Sequence, residues 1–184
     1  MTTETITNGT RPVRLMQRDT VRKLDVGAGA KSDDGWETMD LSPAYHPDFQ
    51  HDITKFPWPF EDDTFDELRC WHVMEHMAPM TTVIDFDNRK VDYINTRIAV
   101  MNEMHRILKP GGELNIEVPI FPYWQAIADP THVSFFVSQT FWYFTKEEHA
   151  EHRALYGIKR WKILGGKKNT LGSIISITLQ KVVE

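Results

Sequence analysis

Residues 23–40, KLDVGAGAKSDDGWETMD, run from a strand-like start through two glycines to a second short strand that ends on an acid. In an open parallel sheet, ligands sit at the carboxyl ends of the strands, where the strand order reverses. Gly27 and Gly29 fall just beyond the first strand. Without a β-carbon they permit a sharp turn and a close approach of a ligand to the backbone. A dinucleotide fingerprint asks for a third glycine at position 32 and an acid about 20 residues further on. Position 32 is Ser32, and Asp40 comes too early. The loop does not read as an NAD site.

Working outward, residues 21–26 form the first strand, 36–39 the second (ending at Asp40), 49–52 the third and 65–71 (FDELRCW) the fourth. Residues 92–108 place Ile94, Ile98, Met101, His105 and Leu108 on one helical face, in steps of three and four. KPGG then stops that helix. Residues 113–118 alternate as a strand, and two further strands are expected near 160–164 and 174–181. Strands alternating with helices argue for an α/β domain with a mainly parallel sheet covered on both faces. Residues 1–20 are polar and without a sustained period, so an N-terminal arm is expected ahead of one domain at 21–184.

The chain has 184 residues, 41% of hydrophobic type, enough for one core. No apolar run approaches the roughly 20 residues that span a bilayer, and the first residues lack the apolar centre of a secretory signal. A single cysteine, Cys70, excludes an internal disulfide framework and fits a reducing compartment. A soluble, cytoplasmic protein is expected. The net charge of -5 argues against nucleic acid as a partner. The basic clusters at Arg11–Lys23 and Lys159–Lys168 read as solvated faces.

Three acids close the first three strands. Asp25 precedes the glycines by two residues, where it can accept from the loop and face a cationic ligand. Asp40 offers two oxygens to the two hydroxyls of a ribose, and Asp52 is placed to accept from an adenine amine. Together they suit an adenosine that carries positive charge and no phosphates, as S-adenosylmethionine does.

The ordered set LDVGAGA (24–30), ETMD (37–40), HDI (51–53), PWPFEDDTFDELRCWHVMEHM (57–77), EMHRILKPGGELNIEVP (103–119) and DPTHVSFF (129–136) resembles the class I S-adenosylmethionine-dependent methyltransferases, especially the small bacterial and phage members. The resemblance covers roughly residues 21–144. It implies a Rossmann-like, seven-stranded, mostly parallel sheet with helices on both faces. It also implies cofactor contacts by Asp25, Gly27, Gly29, Asp40, Asp52 and Ile53, with His72 flanking the methionine part of the ligand. Ala30 and Lys31 depart from the family pattern, where many members place another glycine.

His132, carried by the turn at Asp129–Pro130, is the first candidate for a base that takes a proton from an acceptor hydroxyl or amine. His72 is the second. Glu75 and His76 are expected to bond neighbouring backbone, and residues 78–90 to form a lid or surface excursion without a catalytic role. The [D/N/S]-P-P-[Y/F/W] motif of nucleic-acid amino-methyltransferases is replaced by CWHVME, and Cys70 lacks the preceding proline of cytosine-C5 enzymes. The expected activity is methyl transfer to the oxygen or nitrogen of a small molecule. Two other classes are weighed against it. One is a methyltransferase-like module that binds cofactor without turnover. The other is a zinc hydrolase using HVMEH, in which His72 and His76 bind metal and Glu75 activates water. That arrangement needs a long helix and a third ligand, and Pro79 cuts any helix short, so no metal ligand is assigned.

Overall fold

Leu24 and Val26, Leu68 and Cys70, and Leu114, Ile116 and Val118 recur at every second position. Strands built this way present one apolar face. The computed structural model describes residues 21–30, 33–85, 90–169 and 171–183. The expected arm at 1–20, and Lys31 and Ser32, lie outside them. The chain runs through β1 (Lys23–Val26), β2 (Glu37–Asp40), β3 (Phe49–Gln50), β4 (Phe65–Trp71), β5 (Met80–Asp85), β6 (Lys90–Asn95), α1 (Thr96–Ile107) and β7 (Leu108–Pro119). Then follow α2 (Trp124–Ile127), α3 (Trp142–Thr145), α4 (Ala150–Tyr156), β8 (Trp161–Lys168) and β9 (Ile174–Lys181). Seven strands form one sheet in the order β3-β2-β1-β4-β7-β9-β8. Neighbours from β3 to β7 are parallel, and β9 is antiparallel to both β7 and β8. The expected Rossmann-like, seven-stranded, mostly parallel sheet with helices is the fold observed; of the two faces expected to be covered, one packs on α1 and the other is polar.

The two faces of the sheet differ. Leu24, Leu68, Leu114 and Leu179 lie side by side in register. They share one core with Val100, Met101, Met104 and Ile107 of α1 and with Phe141, Phe144 and Trp161. The opposite face is polar and bonded from strand to strand. Lys23 pairs with Glu67 at 2.7 Å, Asn115 donates to Glu67 at 3.0 Å, and Thr178 donates to Asn115 at 2.7 Å. Side chains that satisfy one another in this way leave that face able to meet water.

Two segments depart from the sequence expectation. The helix expected from position 92 begins at Thr96, because Val91, Tyr93 and Ile94 are strand-favouring and Asn95 caps the helix by accepting from the Ile98 amide at 3.1 Å. The segment expected as a lid or excursion holds β5, which pairs antiparallel with β6. Of its two acids, Asp85 ends β5 and Asp87 lies outside the described residues. KPGG does not stop chain pairing altogether: Leu108 already pairs with Phe65, and the register shifts before Glu113 pairs with Glu67. Pro110 and the two glycines are accommodated as that irregularity.

The strand order reverses between β1 and β4. The chain leaves β1 toward β2 and β3, then returns to β4 on the other side. The loops after β1 and β4 therefore diverge and open a crevice between them.

Candidate active site

Gly27 adopts φ +73°, and a β-carbon there would lie 2.4 Å from a Val73 methyl. The glycine is thus required first by the packing of the loop after β4 against the loop after β1. The Gly27 amide donates to the Met39 carbonyl at 2.7 Å. The Gly29 amide donates to Asp40 Oδ2 at 2.9 Å, and the Ser42 amide to Asp40 Oδ1 at 2.8 Å. Asp40 thus fixes the glycine loop, and each oxygen retains a second lone pair for a ligand.

Gly27, Asp40, Asp52, Ile53 and His72 line one cleft of about 330 Å³, together with His51, Val73, His76 and Met77. Asp52 lies past the end of β3. Its Oδ1 accepts from the Thr54 amide at 2.9 Å and the Thr54 hydroxyl at 2.7 Å. Burial alone would raise its pKa, but the bonds from Thr54, with Lys55 and His51 nearby, outweigh it and hold the carboxyl below its ordinary value. Asp52 Oδ2 has no hydrogen-bond partner among the described residues. Ile53 is positioned through its carbonyl, which accepts from the Trp58 indole at 3.0 Å.

Asp25 does not face this cleft. It is 4% exposed, and its Oδ2 accepts from Arg69 at 2.7 Å across the β1–β4 register. Arg69 also pairs with Asp33 and lies between the rings of Trp36 and Trp71, 4.6 and 4.7 Å from their centroids. A second hollow, of about 630 Å³, is bordered by Asp25, Gly27, Ala28, Asp33, Arg69 and Trp71. The negative charge expected to meet a cationic ligand is neutralised by the protein's own guanidinium. In the sequence, Arg69 looked like one more residue of a strand; only the pairing of Asp25 with position 69 reveals it.

His72 follows β4 in the left-handed region, φ +55°. Its Nδ1 is 3.2 Å from Glu75 Oε1, and its Nε2 is 3.1 Å from Glu117 Oε1. The bond with Glu75 raises the imidazole pKa; burial opposes this and Glu117 adds to it. A histidine with both ring nitrogens engaged by carboxylates has no free lone pair to offer, which makes it a poor base at the wall of the cleft. Glu117 was not expected in this role. It reaches His72 because it pairs in register with Trp71.

The side chains of Glu75 and His76 do not bond neighbouring backbone as expected: Glu75 Oε1 meets His72, and His76 Nδ1 is 2.9 Å from the Thr131 hydroxyl. Met74–His76 is a single 3-10 turn, so His72 and His76 are not held on one long helix as the zinc-peptidase arrangement needs. The Glu75 carbonyl accepts from the amides of Val133 and Ser134, both at 2.9 Å, which ties DPTHVSFF to HVMEH. The rings of His76 and His132 meet edge to face, 4.8 Å apart. His132 does not line the cleft itself; it adjoins it through His76. His132 Nδ1 is 3.3 Å from the Ala126 carbonyl. Since a carbonyl only accepts, Nδ1 carries the hydrogen and the lone pair is on Nε2. Cys70 is fully buried, and burial pushes its thiol well above the ordinary range, so it is not a nucleophile.

No protein-family model and no curated protein matches the sequence. Solved structures do match. The [4+2]-cyclase SpnF aligns at TM-score 0.57 with 16% identity, over 89% of this chain and 75% of that one. A SAM-dependent methyltransferase from Archaeoglobus fulgidus aligns at 0.56 with 12% identity, over 89% and 87%. The N-methyltransferase NodS from Bradyrhizobium japonicum WM9, in complex with S-adenosyl-L-homocysteine, aligns at 0.54 with 11% identity, over 89% and 79%. The strand order, with its single antiparallel strand next to the edge, and these alignments agree: the chain has the fold of the class I S-adenosylmethionine-dependent methyltransferases.

Proposed function

We propose that this protein binds S-adenosylmethionine in the cleft lined by Gly27, Asp40, Asp52, Ile53 and His72, and transfers its methyl group to oxygen or nitrogen of a small molecule. The observation that carries the reading is the convergence of these five residues, from four separate stretches of chain, on one cleft at the reversal of strand order. The donor set fits the cofactor: Asp40 and Asp52 both keep acceptor capacity toward the cleft, and the glycine loop presents backbone without side chains. Asp40 would hold the ribose hydroxyls, Asp52 the adenine amine and the Gly27–Gly29 loop the methionine portion. When bound, the cofactor supplies an electrophilic methyl group. The chain's own residues must orient the acceptor, exclude water and remove the acceptor's proton. That proton would pass to His132, which adjoins the cleft through His76, because its Nε2 is free of a hydrogen bond while His72 is occupied on both nitrogens.

The fold alone does not specify chemistry, and a cyclase shares it. The test is methyl transfer from labelled S-adenosylmethionine to a panel of small hydroxyl and amine acceptors. Transfer is expected in the parent, and His132→Ala is expected to lower turnover by roughly 10²–10⁴-fold while cofactor affinity holds. Cofactor binding without transfer to any acceptor would favour a binding module instead.

A further inference from the structure

Three ligand-type side chains from two motifs meet beside the cleft: Glu75, His76 and His132 each bring one donor atom, all within 4.8 Å of one another. Their hydrogen-bond surroundings determine what these atoms offer. The Thr131 hydroxyl donates to Asp129 Oδ1 at 2.6 Å and stands 2.9 Å from His76 Nδ1. Its proton is spent on Asp129. The Thr131 oxygen can then only accept, so His76 Nδ1 is the donor and the His76 lone pair is on Nε2. His132 is in the same tautomer, with Nδ1–H on the Ala126 carbonyl. The third member, Glu75, is 1% exposed, and its Oε2 is buried without a hydrogen-bond partner. A buried carboxylate oxygen left unsatisfied is costly. In the neighbouring rings of His76 and His132, Nδ1–H is already engaged, which leaves Nε2 as the ligating nitrogen of each.

We propose that Glu75, His76 and His132 bind a divalent first-row transition metal, with zinc favoured over iron(II) by the general order of affinities. Two imidazoles and one carboxylate make a three-ligand set that leaves a fourth position open. The carbonyl of Ala126 and the hydroxyl of Thr131 are the outer partners that orient the rings, as ligating histidines require. Asp129 Oδ2, 3.9 Å from His132 Nε2, adds negative charge beside the site. Ligands at about 2.1 Å from a tetrahedral ion stand roughly 3.4 Å apart, so donor atoms up to 4.8 Å apart must close by up to about 1.4 Å. His76 is exposed, so its side chain is the member of the set best able to make that shift. This set differs from the peptidase pattern: His72 is excluded by its two carboxylates, and Glu75 is a ligand. At the wall of the cleft the open position would take the oxygen or nitrogen of the acceptor and ease loss of its proton; with metal bound, His132 Nε2 serves as a ligand and the metal replaces it as the device that promotes proton loss. This last use rests on the methyl-transfer reading; the metal binding does not.

The test uses the full chain, metal-stripped and without cofactor, titrated with zinc by calorimetry and with cobalt(II) by visible absorption; iron(II) is titrated under anaerobic conditions. One equivalent should bind, with cobalt giving the intense bands of a four-coordinate site. Glu75→Gln, His76→Ala and His132→Ala should each weaken binding by more than the roughly 10–100-fold expected for Thr131→Ala, which removes an outer partner. Replacing His149 and His152, a second pair of neighbouring rings 5.9 Å apart, should leave affinity unchanged. His76 is exposed, so His76→Ala folds and decides the matter if Glu75→Gln does not. No binding by the parent, or binding that survives His76→Ala or is lost with His149 and His152, would overturn the site. Because no cofactor is present, either result leaves the methyl-transfer reading standing or falling on its own test.

Discussion

Asp25 and Asp40 are both acids in the strands that flank the glycine loop, yet their surroundings give them different work. Asp40 keeps acceptor capacity toward the cleft while holding two backbone amides. Asp40→Ala should therefore weaken cofactor binding by about 1–3 kcal/mol, the cost of lost charge-assisted hydrogen bonds, as read by calorimetry. Asp25 is the buried partner of Arg69. Asp25→Ala should destabilise the fold by an amount near the lower end of roughly 3–5 kcal/mol, because Asp33 still faces the guanidinium; denaturant unfolding reads it. If stability were unchanged and cofactor affinity collapsed, Asp25 would be a ligand residue after all. The loop residues and Asp40 were legible in the sequence because their placement follows from a local rule, a turn after one strand and an acid at the end of the next. Arg69 and Glu117 were not, because their partners are set by register between strands distant in sequence. The alternation that makes a strand visible does not say which residue will lie beside it.

At the scale of elements, HVMEH and DPTHVSFF were each visible as motifs, but their meeting depends on two amides donating to the Glu75 carbonyl. No periodicity encodes that contact. The β5–β6 pair was missed because Ile94 also fits the helical face that begins two residues later, and strand-favouring Val91, Tyr93 and Ile94 prevailed over that phase. The helix itself was found from its apolar steps. What those steps did not show is its polar edge. Arg106 donates to the carbonyls of Phe60 and Trp58 at 2.7 and 3.2 Å and pairs with Glu103 at 2.8 Å, while Glu103 accepts from the Trp58 amide at 2.8 Å. Trp58 in turn holds Ile53 at the cleft. Arg106→Ala is expected to cost about 1–3 kcal/mol of stability and to weaken cofactor binding as well, since the loosened Trp58 no longer positions Ile53. A variant that lost stability but bound cofactor like the parent would disconnect the clamp from the cleft.

For the molecule as a whole, the apolar core lies on one side of the sheet, and a titratable group is buried in it. His105 of α1 is 8% exposed, lies edge-on to Trp161 at 5.1 Å, and is 3.0 Å from the Val182 carbonyl through Nε2. Burial lowers its pKa, with Lys181 and Lys159 acting the same way and the carbonyl bonds opposing. Below about pH 6.5, the ordinary histidine value, the unfolded chain binds a proton that the folded chain resists. Stability should accordingly fall from pH 7 toward pH 5. His72 contributes with the opposite sign: its raised pKa stabilises at low pH and fades as pH rises through the folded value. The contribution of His105 is therefore read as a difference, with His105→Gln expected to lose less stability than the parent over that interval. The central claim is that the cleft at the strand-order reversal is an adenosine site without phosphate recognition, and calorimetry of the parent protein with S-adenosyl-L-homocysteine and, separately, with NAD tests it most directly. Binding of S-adenosyl-L-homocysteine at one equivalent, with NAD far weaker, is the expected result; preference for NAD, or no binding of either, would contradict it.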